Sequence, residues 1–168
     1  MKRYSIFLAL FIAIFGLHCS EITAPEVAGE LVYFTSFEND SDTTGWQGYG
    51  FGFKKEAPAR GGQRSLAVSG GCIYPHALLA LNPLGKDSQL IIRCWGKNIG
   101  IGGGVGLEVA GDYGRSIHIT VEDTVWTAYE STDTLFCPKG AGLNLSLGAG
   151  GIVWSAMLVD LIEIRRVQ

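Results

Sequence analysis

Three segments of this chain alternate apolar and other residues with a period of two: Val105-Gly-Leu107-Glu-Val109, Ile117-His-Ile119-Thr-Val121 and Leu143-Asn-Leu145-Ser-Leu147. Only a β-strand puts every second side chain on one face, so each segment predicts a strand with its apolar set turned inward. Comparable runs cover Leu31–Phe37, Ser65–Val68, Leu90–Lys97, Trp126–Ser131 and Val159–Ile164, and Gly-Gly pairs, Asn82-Pro83, Gly111-Asp112 and Pro138-Lys139-Gly140 punctuate them. No stretch beyond Leu17 sustains a helical period. Eight or more short strands at this spacing predict an all-β, two-sheet antiparallel β-sandwich. The 24 glycines and 17% charged residues fit short strands joined by tight turns.

The N-terminus carries a different instruction. Met1-Lys2-Arg3 precedes an apolar run from Ile6 to Leu17, too short to span a bilayer comfortably, which reads as an export signal. Phe15-Gly16-Leu17-His18-Cys19 resembles the lipobox of bacterial lipoproteins, with Gly16 and His18 where aliphatic and small residues are usual. That resemblance implies a signal over residues 1–18, a lipid on Cys19 and a cell-envelope location. An ordinary secretory signal cut near the same place is the alternative. Residues 19–30, with Pro25 and no periodicity, predict a tether, and residues 31–168 a single β-sandwich domain of ordinary size.

Removing the signal takes Lys2 and Arg3, leaving 11 basic against 16 acidic residues from the original 13 and 16. A mildly acidic surface argues against nucleic acid as a partner and favours neutral ligands. Cys72, Cys94 and Cys137 all fall on inward positions, and either buried thiols or one disulfide fits an odd number. No Cys-x-x-Cys spacing supports zinc.

Several motifs follow one another in order: Phe34-Thr-Ser-Phe37-Glu38, Gly45-Trp46, Gly61-Gly62-Gln-Arg-Ser65-Leu66-Ala-Val68, Leu90-Ile-Ile-Arg-Cys-Trp95-Gly-Lys97, Trp126 with Tyr129, and Val159-Asp160-Leu161-Ile162-Glu163-Ile164. Their order resembles the galactose-binding-like jelly rolls, especially the calcium-containing carbohydrate-binding modules appended to glycanases. The resemblance implies a structural Ca2+ held by Glu38, Asp160 and the Gly62–Ser65 loop. Calcium takes six to eight oxygens, carboxylates included, which suits these residue types. The competing arrangement has both acids bonded to backbone amides or paired with Arg64.

Sugar binding requires aromatic faces with a few polar groups beside them. Strand alternation puts Arg93, Trp95 and Lys97 together on the face opposite Ile92 and Cys94, so these three are candidate glycan-binding residues. Tyr74 and His76, in the loop after Gly70-Gly71, and Trp154, after the Gly148-Ala-Gly-Gly151 turn, complete the set. Tyr49, Phe51 and Phe53 alternate with glycine and are expected in the core; the run from Gly100 to Gly106 is expected as a turn or bulge. Catalysis is poorly supported: no pair of carboxylates has glycosidase form, and there is no Gly-x-Ser-x-Gly. The leading expectation is a non-catalytic, membrane-tethered carbohydrate-binding lipoprotein. The alternatives are a structural or protein-interaction lipoprotein on the same fold and, third, a small polysaccharide lyase or hydrolase.

Overall fold

The protein was described from a computed structural model covering residues 29–71, 77–151 and 154–167. The signal, Cys19, the tether up to residue 28, Cys72, Tyr74 and His76 lie outside the described residues. The described residues form twelve strands in chain order: β1 (Glu30–Thr35), β2 (Trp46–Gly48), β3 (Phe51–Lys54), β4 (Ser65–Ser69), β5 (Ala77–Leu81), β6 (Ser88–Ile99), β7 (Gly103–Val109), β8 (Asp112–Val121), β9 (Thr127–Glu130), β10 (Leu135–Cys137), β11 (Leu143–Ala149) and β12 (Ala156–Arg166). A 3₁₀ turn, Asp40–Thr43, lies between β1 and β2.

Two antiparallel sheets form the expected sandwich. Seven strands make the first, in the order β10-β6-β12-β4-β3, with β9 pairing along β6 and β1 along β12; five make the second, β2-β5-β11-β7-β8. The long strands β6 and β12 are central in the first sheet because their apolar positions recur over the whole length. Leu90, Ile92 and Cys94 of β6 and Val159, Ile162 and Ile164 of β12 are all buried. From the second sheet, Val105, Leu107, Val109, Ile117, Ile119, Val121, Leu143, Leu145 and Leu147 meet them, as alternation requires. Cys94 and Cys137 are buried free thiols, and burial pushes the Cys94 thiol up to about 12, which leaves it uncharged and inert.

The aromatic-glycine tract departs from expectation. It divides into β2 and β3, which belong to different sheets, because Gly48 and Gly50 take positive φ (118° and 74°) and turn the chain between them. Tyr49 at that turn is 53% exposed, and Phe53, on the edge strand β3, is 37% exposed; only Phe51 packs against the core. Phe53 instead lies under a cation, with Arg64 Cζ 4.2 Å from its ring centroid. The glycine-rich run is a turn only as far as Gly102, after which Gly103 begins β7. β1 stops at Thr35 rather than Phe37, since Phe37 has φ 55° and breaks the strand.

Candidate functional site

Three places bring together residue types that carry recognition chemistry. The first is the acidic pair. Glu38 follows Phe37, and Leu161 follows Asp160; among the described residues, Phe37 and Leu161 are the two non-glycine residues with positive φ (55° and 48°). Such backbone is costly and persists where the surroundings hold it, here beside both carboxylates. Glu38 Oε1 accepts the backbone N–H groups of Gln63 (3.0 Å) and Arg64 (2.8 Å), and the Arg64 guanidinium bonds the Glu38 carbonyl and Asp40 Oδ1 (2.8 Å). Glu38 is therefore satisfied in the manner of the competing arrangement.

Asp160 is not. It is 0% exposed, Oδ1 accepts the Leu161 N–H at 2.8 Å, and Oδ2 has no partner. Burial, with a smaller contribution from the Glu38 charge, raises its carboxyl from 3.8 to about 7. The β4–β12 register ends at Leu66↔Val159, so the next step brings Ser65 beside Asp160, and the Ser65 hydroxyl is likewise buried without a partner. The turn above them admits no side chain. A Cβ on Gly61 would stand 2.1 Å from Asp160 Oδ2, and one on Gly62, which has φ 85°, would stand 2.5 Å from Glu38 Cδ. Among the described residues no three His, Cys, Asp or Glu side chains gather closely enough to hold a metal. The donors here are instead two carboxylates, a hydroxyl and loop carbonyls, an all-oxygen set that suits a hard cation.

The second place is the outer face of the seven-stranded sheet. Arg93, Trp95 and Lys97 share that face as alternation predicts, each half-buried. Both cations are engaged: Arg93 Nε lies 2.9 Å from Glu130 Oε2, and Lys97 Nζ 2.6 Å from Glu56 Oε1. Lys97 holds the Glu56 carboxyl below its ordinary range, with a weaker contribution from the indole of Trp126. Trp95 thus sits between two ion pairs, opposite Ala128 on one side and Asp160 on the other.

The third place is the end of the sandwich where β12 begins. Asn98, buried at the end of β6, donates to the carbonyls of Gly100 (3.3 Å) and Glu122 (3.2 Å) and accepts the Gly102 N–H (2.9 Å). Its own N–H bonds the Asp123 carbonyl at 2.7 Å, and Gly150 N–H bonds the Gly102 carbonyl at 2.8 Å. Gly70 N–H reaches Ser155 at 2.6 Å. One buried amide thus ties the 99–102 and 122–126 loops, while backbone bonds add Gly70, Gly150 and Ser155. A cleft of about 350 Å³ opens here, lined by Gly102, Gly103, Gly104, Gly148, Thr120 and Glu122 among others. Trp154 stands on the same end at 83% exposed, with Ile101 at 72%. Sequence reasoning found Trp154 but missed Asn98 and the cleft. The dense glycines were the available signal, since bare backbone on adjacent strands leaves room for a ligand.

Comparisons with known proteins place the fold. No protein-family model matches the chain, and no curated protein matches it. Among solved structures it is similar to the CBM22-1 xylan-binding domain of Paenibacillus barcinonensis Xyn10C, at 21% identity and TM-score 0.60 over 85% of this chain and 98% of that one. It is also similar to a carbohydrate-binding module, CBM6cm-2, of Cellvibrio mixtus lichenase 5A in complex with cellotriose (16% identity, TM-score 0.55, 83% and 100% covered). A third is TmCBM61 in complex with β-1,4-galactotriose (14%, 0.52, 73% and 89%). The chain has the β-sandwich fold seen in carbohydrate-binding modules.

Proposed function

We propose that this protein is a non-catalytic glycan-binding module, exported and held on a bacterial membrane by lipid on Cys19. The observation that carries the reading is the position of Trp154. An indole left 83% exposed on a clamped loop end contributes little to the core, yet offers the flat apolar face on which a sugar ring stacks. The glycine-paved cleft beside it exposes backbone groups, with Thr120 and Glu122 to bond hydroxyls. Tyr74 and His76 follow Gly71, a cleft residue, by three and five positions in the sequence, and this reading keeps them as candidates.

The route of the chain supports a tethered arrangement. Glu30 pairs with Arg166 at one end of β12, whereas the cleft lies at the other, where Ala156 begins the strand. Eleven strand residues separate the two ends, about 30 Å at the usual rise. A membrane anchor reached through Glu30 therefore leaves the cleft and Trp154 facing outward.

Calcium belongs to this proposal as a structural ion. Asp160, Glu38, Ser65 and the carbonyls of the Gly62–Ser65 loop would hold it, and its charge would compensate the buried Asp160 carboxylate. The unpartnered Asp160 Oδ2 and Ser65 Oγ support the fit.

A second reading, a structural or protein-interaction lipoprotein, is favoured by one observation: Arg93 and Lys97 are spent on Glu130 and Glu56 and leave Trp95 without free donors beside it. A glycan array probed with the purified chain, with and without chelator, separates the readings. Binding that is lost in Trp154→Ala supports the first, and an array without signal in either condition supports the second.

A further inference from the structure

Three connections cross from one sheet to the other at the end that carries Trp154. Residues 100–102 join β6 to β7, residues 122–126 join β8 to β9, and the connection with Trp154 leads from β11 to β12. In the second sheet β7 lies between β11 and β8, and in the first β6 lies between β12 and β9. The crossings therefore stand side by side with 100–102 in the middle, each about 4.8 Å from the next. Each carries an apolar side chain open to solvent: Val125 at 66%, Ile101 at 72% and Trp154 at 83%. These are the three most exposed large hydrophobic residues among those described. Single exposed hydrophobics are ordinary, but three on neighbouring crossings form a row about 10 Å long, which marks a binding surface.

The row is braced from behind. Asn98 holds the first two crossings through Gly100, Gly102 and Glu122, and the Tyr129 hydroxyl donates to Asp123 Oδ2 (2.7 Å) while accepting the Asp123 N–H (3.0 Å). The Ile101 side chain reaches the third crossing, where a Cβ added to Gly151 would stand 2.8 Å from Ile101 Cδ1. The tips are thus preset before any partner arrives. Neither Ile101 nor Val125 has a side-chain group that bonds a hydroxyl, and residues 99–102, 122–126 and 150–155 include no Lys, Arg or His. The charged side chains in these segments are Glu122 and Asp123. A lipid surface fits this poorly, because tips seated among acyl chains would draw both carboxylates toward hydrocarbon and no cation is at hand for a phosphate.

We propose that the row Val125–Ile101–Trp154 docks onto the flat face of an insoluble polysaccharide, where the sugar rings of packed chains lie beside one another. The inference rests on the glycan-binding reading and names the substrate class of that site. A dissolved chain keeps its hydroxyls in water and needs polar partners to replace that water, the role given above to Thr120 and Glu122 in the cleft. Chains packed in a solid bond their hydroxyls to one another and present C–H faces, for which apolar tips suffice. Trp154 stacks on one ring and the two aliphatic tips cover the rings beyond it, one strand spacing at a time. Glu122 and Asp123 stay in water at the rim.

The test is retention of the purified full chain by microcrystalline cellulose, chitin and insoluble xylan, set beside titration with the soluble hexasaccharides of the same three polymers. Wild type should be retained by at least one solid. Ile101→Ser and Val125→Ser should each weaken that retention about fivefold without moving the melting temperature. Leu31→Ser, which removes an apolar side chain 48% exposed at the opposite end, should not. Val125→Ser should also leave the affinity for a soluble hexasaccharide unchanged. Retention that neither tip variant weakens, or binding of soluble sugars with no solid retained, overturns the flat-surface inference and leaves the glycan reading standing. No binding to any solid, soluble sugar or arrayed glycan removes the glycan reading and this inference with it. Binding to phosphatidylcholine vesicles, or self-association in sedimentation velocity, that Val125→Ser abolishes would assign the row to a lipid surface or a second copy and overturn the inference as well.

Discussion

Trp95 and Asp160 are register partners across β6 and β12 and share the outer face of the sheet, yet Asp160 is fully buried and Trp95 only half. The difference comes from the turn at Pro58–Gly62, whose Gly61 lies directly over Asp160. The segment that makes this turn also delivers Glu56 to Lys97, two residues along from Trp95. The buried acid and the half-buried ring are thus covered and flanked by one stretch of chain.

Asp160 sets a pH dependence whose sign is determined. Its folded-state carboxyl is raised from 3.8 to about 7, chiefly by burial. Below about pH 4 both folded and unfolded chains hold the proton, and the stability this group allows is fully present. As pH rises towards 7 the unfolded chain releases the proton while the folded one keeps it, so metal-free stability falls, and the loss is complete above the folded value. Urea denaturation in chelator across this range should show the decline, and Asp160→Asn should flatten it. A profile for Asp160→Asn that matches wild type would assign the dependence to other groups.

Calcium should reverse that loss. A ligand bound only by the folded state stabilises by mass action, so the melting temperature should rise with calcium and drop with chelator, while Asp160→Asn should abolish the response. Coincident wild-type melting curves, with no metal found by elemental analysis, would count against the ion.

Trp154→Ala should remove glycan binding while shifting stability by no more than about 0.5 kcal/mol, as expected for a surface substitution. Isothermal titration against array hits and a denaturation curve measure the two quantities on one sample. A folded Trp154→Ala variant with wild-type affinity would exclude the loop end as the platform.

Trp95→Ala should cost roughly 1 to 3 kcal/mol, below the 3 to 5 kcal/mol of a wholly buried tryptophan, because only part of the ring is covered. A chemical denaturation midpoint gives the value. Loss of glycan binding in a variant that remains folded would make Trp95 part of a sugar site; binding unchanged would leave it as packing between the Arg93 and Lys97 ion pairs.

Cys19→Ala should move the protein from the membrane fraction to the soluble one, because the thiol is the attachment point for lipid in the lipoprotein reading. Fractionation of cells expressing each form decides it, and mass spectrometry of the mature N-terminus supplies an independent check.

Alternation in β7, β8 and β11 was enough to assign both the strands and their buried faces, because period two is a property of neighbouring residues and needs no partner. Ala77–Leu81 and Leu135–Cys137 escaped the same reading: the first is apolar without alternation and the second is three residues long, so each becomes a strand only through its neighbours β11 and β6. The placement of Tyr49 and Phe53 outside the core has a related cause, since the chain turns at Gly48 and Gly50, leaving Tyr49 in the turn and Phe53 on the edge strand β3. Among candidate site residues, the common face of Arg93, Trp95 and Lys97 was local and readable, whereas their ion pairs were not, because Glu130 and Glu56 are 37 and 41 positions away from their partners. Motif order brought Glu38 and Asp160 forward together, but the burial of one and the bonding of the other depend on a glycine turn folded over them. The loop-end cleft and the row of apolar tips beside it exist only where strands from distant parts of the chain end next to one another. Chain-local periodicity therefore determined the sandwich, and long-range closure decided where it offers a surface to a ligand.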